Sequence, residues 1–359
     1  MNIFNQRLEK LKELLLNEEC DGIIVDDSIN LFYLTGLFLS AGKLLVHPKG
    51  ATLFVDSRYI ELCKSNSPFP VELSTKNDGM NDLINGSGIK RLAFNSDNTS
   101  YGEFKKLESE FGHLSLKPIG NPVLKLRAVK DPGEIEILKE AAALGSEGYD
   151  YLVEMLKEGI SENELAIELE IFWKRRGSKA IAFDPIIAFG SNSSMPHYRV
   201  GQRKLNTGEA VLIDIGVNLN HYHSDMTRVV FFGDPDPKIA SIYEIVLKAQ
   251  ELALENCRPG TPIAELDASA RNYIEQKGYG ENFTHSLGHG VGLEIHELPL
   301  IRSQSPGADT QLEEGMVVTI EPGIYLPGIG GVRIEDTVAI TRDGYENLTN
   351  RSKELSIIR

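Results

Sequence analysis

The sequence has few cysteines and no long hydrophobic run. Its three cysteines, Cys20, Cys63 and Cys257, are widely spaced among 359 residues and match neither a disulfide framework nor a CxxC zinc motif. The longest apolar runs, such as 180–183 and 317–320, are far shorter than the ~20 residues of a membrane-spanning helix. The polar, charged first residues predict no signal peptide. We therefore expect free, mostly buried thiols, no membrane insertion and a cytoplasmic location.

Basic residues are also in the minority. The chain has 37 Lys and Arg against 52 Asp and Glu, which gives a formal net charge of −15. A surface of this sign repels phosphate backbones, so the charge argues against nucleic acid as a partner. Hydrophobic residues at 41% and charged residues at 25% are typical of a folded globular protein.

Two regions with different hydrophobic patterns predict two domains, at 1–125 and 126–359. The first alternates short apolar strands with amphipathic helices and predicts a small α/β domain. The second begins with a strong helix start, in which Asp131 can cap the helix and Glu134 can complete a capping box. Its runs of helices and of strands do not alternate singly, which predicts an α+β domain. The expected helices lie at about 4–19, 101–111, 131–157, 161–176, 235–256 and 262–277.

Four acidic residues interrupt apolar, strand-like segments of the second domain: Asp214, Asp225, Glu321 and Glu335. One such acid is more often an edge residue or a salt-bridge partner. Burying several carboxylates requires positive charge, and the same segments supply only Arg228 and Arg333. Because the acids occur in two pairs with hairpin spacing, they can meet at one point. The set predicts a centre with two metal ions.

A glycine-rich stretch at 285–296 contains three histidines and supplies a candidate fifth ligand. Its GHGVG segment is not the GxGxxG of dinucleotide sites. The following HELPL begins like HExxH but lacks the second histidine, which excludes a mononuclear zinc site of that type.

The motifs together resemble the pita-bread metallopeptidases, the family of methionine aminopeptidase, Xaa-Pro dipeptidase (prolidase), aminopeptidase P and creatinase. The resemblance covers about 131–355 and is carried by DIG at 214–216, SDMTR at 224–228, HSLGHGVGLEIHE at 285–297, TIEPGIY at 319–325 and GGVRIEDT at 330–337. LFYLTG at 31–36 and VDSRY at 55–59 resemble the creatinase-type N-terminal domain. The implied architecture is therefore an α+β pita-bread catalytic domain preceded by a smaller α/β creatinase-like domain.

The resemblance implies five metal ligands. Asp214 would chelate one ion, Asp225 and Glu335 would bridge both, and His289 with Glu321 would complete the other site. A set of carboxylates with one imidazole suits manganese first, with cobalt, zinc or iron as alternatives.

Further roles are carried over in the same way. Glu321 would also shuttle a proton, and His197 would face the active site. His285 and His296 would hydrogen-bond the substrate and stabilise the tetrahedral intermediate. Arg333 would orient Asp214 or Asp225.

The two-domain resemblance implies short proline-containing peptides as substrates, cut before proline, and a homodimer. A dipeptidase needs a cation for the free carboxylate after proline, whereas Leu300 and Ile301 follow His296 and the nearest arginine is Arg302. We therefore expect aminopeptidase P-like cleavage, with Xaa-Pro dipeptidase as the alternative. A metal-free creatinase-like amidinohydrolase and a non-catalytic peptide- or partner-binding protein are less favoured, because all five ligand positions are intact.

Overall fold

A computed structural model describes residues 2–74, 78–304 and 307–359. The residue contacts divide the chain into two compact units, Met1–Arg127 and Ala128–Arg359. Within the described ranges, no helix combines the length and the apolar character needed to cross a bilayer. Cys20, Cys63 and Cys257 are free and buried, as expected.

The first unit contains a mixed sheet with the strand order β4-β3-β2-β1-β5-β6. β1 with β2 and β2 with β3 pair antiparallel, whereas the other neighbours are parallel. Its elements are α1 (Ile3–Asn17), β1 (Gly22–Val25), α2 (Ser28–Thr35), β2 (Lys43–His47), β3 (Gly50–Val55), α3 (Ile60–Asn66), β4 (Val71–Leu73), α4 (Asp78–Ser87), β5 (Arg91–Asn95), α5 (Tyr101–Phe111), β6 (Ser115–Ile119) and α6 (Pro122–Arg127).

The second unit begins with the predicted capped helix. The Asp131 carboxylate accepts the backbone N–H groups of Gly133 and Glu134, and the Glu134 carboxylate accepts that of Asp131. Its helices are α7 (Pro132–Met155), α8 (Glu162–Arg175), α9 (Pro237–Leu254) and α10 (Ile263–Gln276). Its strands are β7 (Ala180–Ile181), β8 (Ile186–Phe189), β9 (Glu209–Ile215), β10 (Val217–Leu219), β11 (Tyr222–His223), β12 (Met226–Phe232), β13 (Gly288–Gly290), β14 (Glu297–Ile301), β15 (Val317–Ile320), β16 (Gly323–Leu326), β17 (Gly330–Arg333), β18 (Asp336–Thr341), β19 (Gly344–Asn347) and β20 (Ile357–Ile358).

Two larger sheets of this unit hold the site, with orders β20-β12-β9-β8 and β14-β13-β15-β18-β19. Successive side chains of a strand point to opposite faces. On β9, Val211 and Ile213 join the core formed with α7 and α8, whereas Leu212 joins the core formed with α9 and α10. Asp214 therefore lies on the α9–α10 face of that sheet, and its strand partner on β12 is Thr227.

The acids do not all lie inside strands, contrary to the sequence interpretation. Only Asp214 does, whereas Asp225 precedes β12, Glu321 follows β15 and Glu335 precedes β18. Glu321 and Glu335 flank the antiparallel pair β16–β17. A backbone bridge between Thr227 and Glu335 connects the two larger sheets. The chain thus passes from one sheet to another at Asp225, Glu321 and Glu335.

The glycines around His289 are required by the packing of neighbouring strands. A Cβ on Gly288 would lie 1.9 Å from the carbonyl oxygen of Thr319, and one on Gly290 would lie 2.1 Å from that of Leu298. The backbone of β13 therefore approaches the two neighbouring strands closely. Glycine is required here because β13 lies between the backbones of β14 and β15.

Candidate metal centre

Side chains from both larger sheets converge at one buried point. Asp225, His289 and Glu335 each offer a ligand atom, and these atoms lie within 4.8 Å of one another. The His289 Nε2 atom is 3.6 Å from Asp225 Oδ2 and 3.4 Å from Glu321 Oε1. These distances show that four of the predicted ligands lie close together in the structure: Asp225, His289, Glu321 and Glu335.

Hydrogen bonds of Arg333 connect Asp214 to the other predicted ligands. Arg333 donates from Nη2 to Asp214 Oδ2 and from Nε to the hydroxyl of Thr227, at 3.1 Å. Thr227 in turn donates to Glu335 Oε2 at 2.7 Å. The other oxygen of Asp214, Oδ1, is buried and has no hydrogen-bond partner among the described residues. Such an acceptor atom requires an explanation, and a cation is one.

The electrostatics of the centre indicate a shortage of positive charge. Burial, followed by repulsion from neighbouring carboxylates, raises the pKa of Asp225 and of Glu335 well above their usual values. Burial also raises the pKa of Glu321 to about 8, and that of Asp214 rises although Arg333 opposes the shift. Asp214 contributes to the raised pKa of all three other acids. Four carboxylates therefore share this site with Arg333.

His289 directs its Nε2 atom toward the carboxylates. Its Nδ1 lies 3.1 Å from the carbonyl oxygen of Gly290, which can only accept, so Nδ1 carries the proton. Burial lowers the pKa of His289 to about 4, so the ring is neutral near pH 7. A neutral imidazole with Nε2 directed at acidic ligands has the form that binds a metal ion.

Tyr325 links two of the predicted residues, and the sequence interpretation missed it. Arg333 Nη1 donates to the Tyr325 hydroxyl at 2.7 Å, and this hydroxyl lies 2.9 Å from His285 Nε2. Since His285 Nδ1 faces the carbonyl of Ser286 at 2.8 Å, Nδ1 carries the proton and Nε2 accepts from Tyr325. Burial raises the pKa of Tyr325 to about 12, which keeps its proton in place.

These bonds engage both ring nitrogens of His285, so its predicted contact with the substrate stays a prediction. The only signal for Tyr325 in the sequence was its place in the TIEPGIY motif, four residues after Glu321. Thr319 was also missed: its hydroxyl accepts from His289 N at 3.1 Å and donates to Glu321 Oε1 at 3.3 Å.

His197 and His296 lie beside the centre and are exposed. The His296 ring packs edge-on against His289 with 4.4 Å between the ring centroids. The carbonyl oxygen of Pro196, the residue before His197, lies 3.4 Å from Arg333 Nη1, and the charge of His197 is among the causes that shift the pKa of Asp214, of His285 and of His296. Two exposed imidazoles beside a buried acidic cluster give the site polar groups on its solvent side.

Two sequence-family models match the chain in sequence order. The model described as Creatinase/Prolidase N-terminal domain matches residues 7–129. That of Metallopeptidase family M24 matches residues 136–342, a range that includes all five predicted ligands.

Individual proteins are similar over almost the whole chain. The Xaa-Pro dipeptidase of Pyrococcus horikoshii is 39% identical over 356 residues, which are 99% of this chain and 100% of the relative. The structure of an Xaa-Pro dipeptidase from Bacillus anthracis has a TM-score of 0.95 at 36% identity, and the match covers 99% of this chain and 100% of that chain. The X-Pro aminopeptidase from Thermotoga maritima has a TM-score of 0.88 at 33% identity, with 97% of this chain and 100% of that chain covered.

Proposed function

This chain belongs to metallopeptidase family M24, and from that premise we propose that it hydrolyses Xaa-Pro dipeptides with two divalent metal ions. Family membership confirms the predicted fold, an α+β pita-bread catalytic domain after a creatinase-like α/β domain. It also confirms the predicted class of enzyme, a hydrolase that acts as a metallo-exopeptidase. Divalent metal use follows from the family as well, whereas the ion and the substrate are our proposal.

The buried acidic cluster carries the metal part of the proposal. Asp214, Asp225, Glu321 and Glu335 are brought together with a neutral imidazole from His289, and the Asp214 Oδ1 atom is buried without a hydrogen-bond partner among the described residues. Two divalent cations would balance the negative charge of four carboxylates, and one of them would bind the Asp214 Oδ1 atom. Oxygen ligands with one imidazole favour manganese, with cobalt, zinc and iron as alternatives.

Metal ions held by these five residues would lower the pKa of water at the site and polarise the scissile carbonyl. The chain's own groups would do the rest. Glu321 would accept the proton that the attacking water loses and deliver it to the proline nitrogen that leaves, because its carboxylate lies among the ligands, with Oε1 3.4 Å from His289 Nε2. Arg333 would hold Asp214 in place, and Tyr325 would hold His285.

The exposed imidazoles have a separate role in this proposal. His296 and His197 would donate hydrogen bonds to the substrate's peptide oxygens as charge develops there. Their position on the solvent side of the cluster supports such a role, because a substrate must reach the ligands from that side.

Similar proteins favour the dipeptidase alternative over the aminopeptidase P-like activity that the sequence led us to expect. Xaa-Pro dipeptidases stand among the relatives with full-length similarity, and the Bacillus anthracis structure of that name has the higher TM-score of the two compared above. Arg302, which directly follows β14, remains the nearest arginine after His296 in the sequence. An X-Pro aminopeptidase shares the fold, so the test must separate the two activities.

The decisive assay compares Ala-Pro with Ala-Pro-Ala, with Ala-Ala as a control that lacks proline. The manganese-loaded protein should cleave Ala-Pro with a higher kcat/KM than Ala-Pro-Ala and should leave Ala-Ala intact. An Asp225→Asn variant, which keeps the shape of the side chain, should be inactive. Preference for the tripeptide would instead establish an aminopeptidase, and cleavage of neither proline peptide would refute the proposal.

Two further parts of the proposal concern the state of the protein. We expect a homodimer, as the family resemblance implies, and light scattering coupled to size-exclusion chromatography would give the mass of one chain if this is wrong. We also place the protein in the cytoplasm, where three free, buried thiols would stay reduced.

A further inference from the structure

His197 lies in a segment whose position must be set by contacts outside regular secondary structure. After β8 the chain forms a short 3₁₀ turn, Gly190–Ser194, and residues 195–203 then contain neither helix nor strand. We call residues 189–201 the His197 loop. An imidazole on such a loop can serve the site only if the loop is held.

Glu162, in the first turn of α8, holds this loop. The residue is 0% exposed, and its carboxylate accepts four hydrogen bonds from the loop. Oε1 accepts from Phe189 N at 2.9 Å and Asn192 Nδ2 at 2.9 Å. Oε2 accepts from the Tyr198 hydroxyl at 2.7 Å and Gly201 N at 3.2 Å. A carboxylate has about four lone-pair sites, so the loop saturates it.

The opposite side of the loop is fixed to β17. Gly331 N donates to Ser193 Oγ at 2.8 Å, and Arg333 Nη1 lies 3.4 Å from the carbonyl oxygen of Pro196. Both neighbours of His197 in the chain are thereby held: Pro196 by the arginine that also binds Asp214, and Tyr198 by Glu162.

We propose that Glu162 is a positioning residue for His197 in the peptidase reaction, an inference that rests on the proposed function. Glu162 does not reach the substrate in this account. It fixes Tyr198 and the loop backbone, and these set the place of the His197 imidazole next to Pro196, which contacts Arg333 of the acidic cluster. The alternative is that Glu162 only stabilises the fold, in which case its loss would act independently of His197.

A double-mutant cycle separates these alternatives, because residues that act as a unit are not additive. Glu162→Gln should lower kcat/KM for Ala-Pro by about 10- to 100-fold, the effect of a small misplacement of a reacting group. In a His197→Ala background the same change should cost no more than about twofold. Glu164→Gln is the matched control, because this exposed residue lies on the same turn and its carboxylate accepts from Ser161 in the helix cap. This change should leave kcat/KM unchanged.

A loss of equal size in both backgrounds would overturn the proposal, and so would unchanged kcat/KM in Glu162→Gln. If Glu162→Gln does not fold, Tyr198→Phe takes its place in the cycle, because it removes a single hydroxyl from the same set of hydrogen bonds.

An activity-independent measurement keeps the test separate from the proposed substrate. The protein has eight histidines, and their imidazole signals can be followed by ¹⁵N NMR, with His197 identified by its absence in His197→Ala. The His197 signal should shift in Glu162→Gln and Tyr198→Phe but not in Glu164→Gln. If the wild type cleaves neither proline peptide, the proposed function fails. The positioning role of Glu162 fails instead if the His197 signal does not shift in Glu162→Gln and Tyr198→Phe.

Discussion

Replacing Thr227 with valine tests how the metal ligands are held. This side chain is fully buried, and its hydroxyl donates to Glu335 Oε2 at 2.7 Å while accepting from Arg333 Nε at 3.1 Å. Valine has nearly the same shape but cannot form either bond. A ligand oxygen and a guanidinium N–H would then lack a buried partner.

The expected magnitude follows from those two bonds. Hydrogen bonds to charged groups contribute about 1.5–3 kcal/mol, and loss of a partner behind a metal ligand typically costs about 10- to 100-fold in metal affinity. We therefore expect Thr227→Val to bind Mn²⁺ roughly 10- to 100-fold more weakly. Thr227→Ser keeps the hydroxyl and should remain within a few-fold of the wild type.

Competition between the protein and a chelator of known affinity would measure this loss. Thr319→Val provides an internal comparison, because its bond to Glu321 is longer, at 3.3 Å, and its effect should be smaller. Wild-type Mn²⁺ affinity in Thr227→Val would refute the idea that this hydroxyl orients Glu335.

Three other predictions concern different parts of the centre. Tyr325→Phe removes the donor to His285 Nε2 and should lower kcat/KM for Ala-Pro by about 10-fold or more with little change in Mn²⁺ affinity; an unchanged rate would contradict the role given to this hydroxyl. Burial raises the pKa of Glu321 from 4.5 to about 8, so the unfolded state of the metal-free protein binds fewer protons between these pH values, and stability should fall as pH rises through them by at most ~1.4 kcal/mol per pH unit for this group. Thermal melts should show that slope without metal and lose it with saturating Mn²⁺. Finally, Arg228→Met removes the buried guanidinium partner of Asp336, which keeps Lys353 at 2.7 Å, and should cost about 1.5–3 kcal/mol in denaturant unfolding, the contribution of a hydrogen bond to a charged group; a midpoint equal to the wild type would contradict this expectation.

Local signals in the sequence were enough to predict many elements. The helix at 101–111 was predicted with the bounds it has, and Asp131 caps α7 as its sequence context indicated. These features depend on residues within a few positions of one another. The candidate ligands could also be found, because an acid in an apolar stretch stands out against its neighbours.

Contacts between distant segments could not be predicted in the same way. Thr227 bonds a residue 108 positions away, and Glu162 bonds a loop 27 to 39 positions further on. In the sequence Thr227 is an ordinary strand residue, and Glu162 is an ordinary acid at a helix start. The arrangement of β16 and β17 as a separate pair was likewise missed, because hairpin spacing alone does not show that the chain changes sheets at an acid.

The most direct test of the account is a titration of the metal-free protein with Mn²⁺ while Ala-Pro hydrolysis is followed. We predict no hydrolysis without metal and a rate that reaches its plateau at two equivalents of Mn²⁺ per chain. Hydrolysis by the metal-free protein, or no hydrolysis at any ratio of metal to protein, would contradict it.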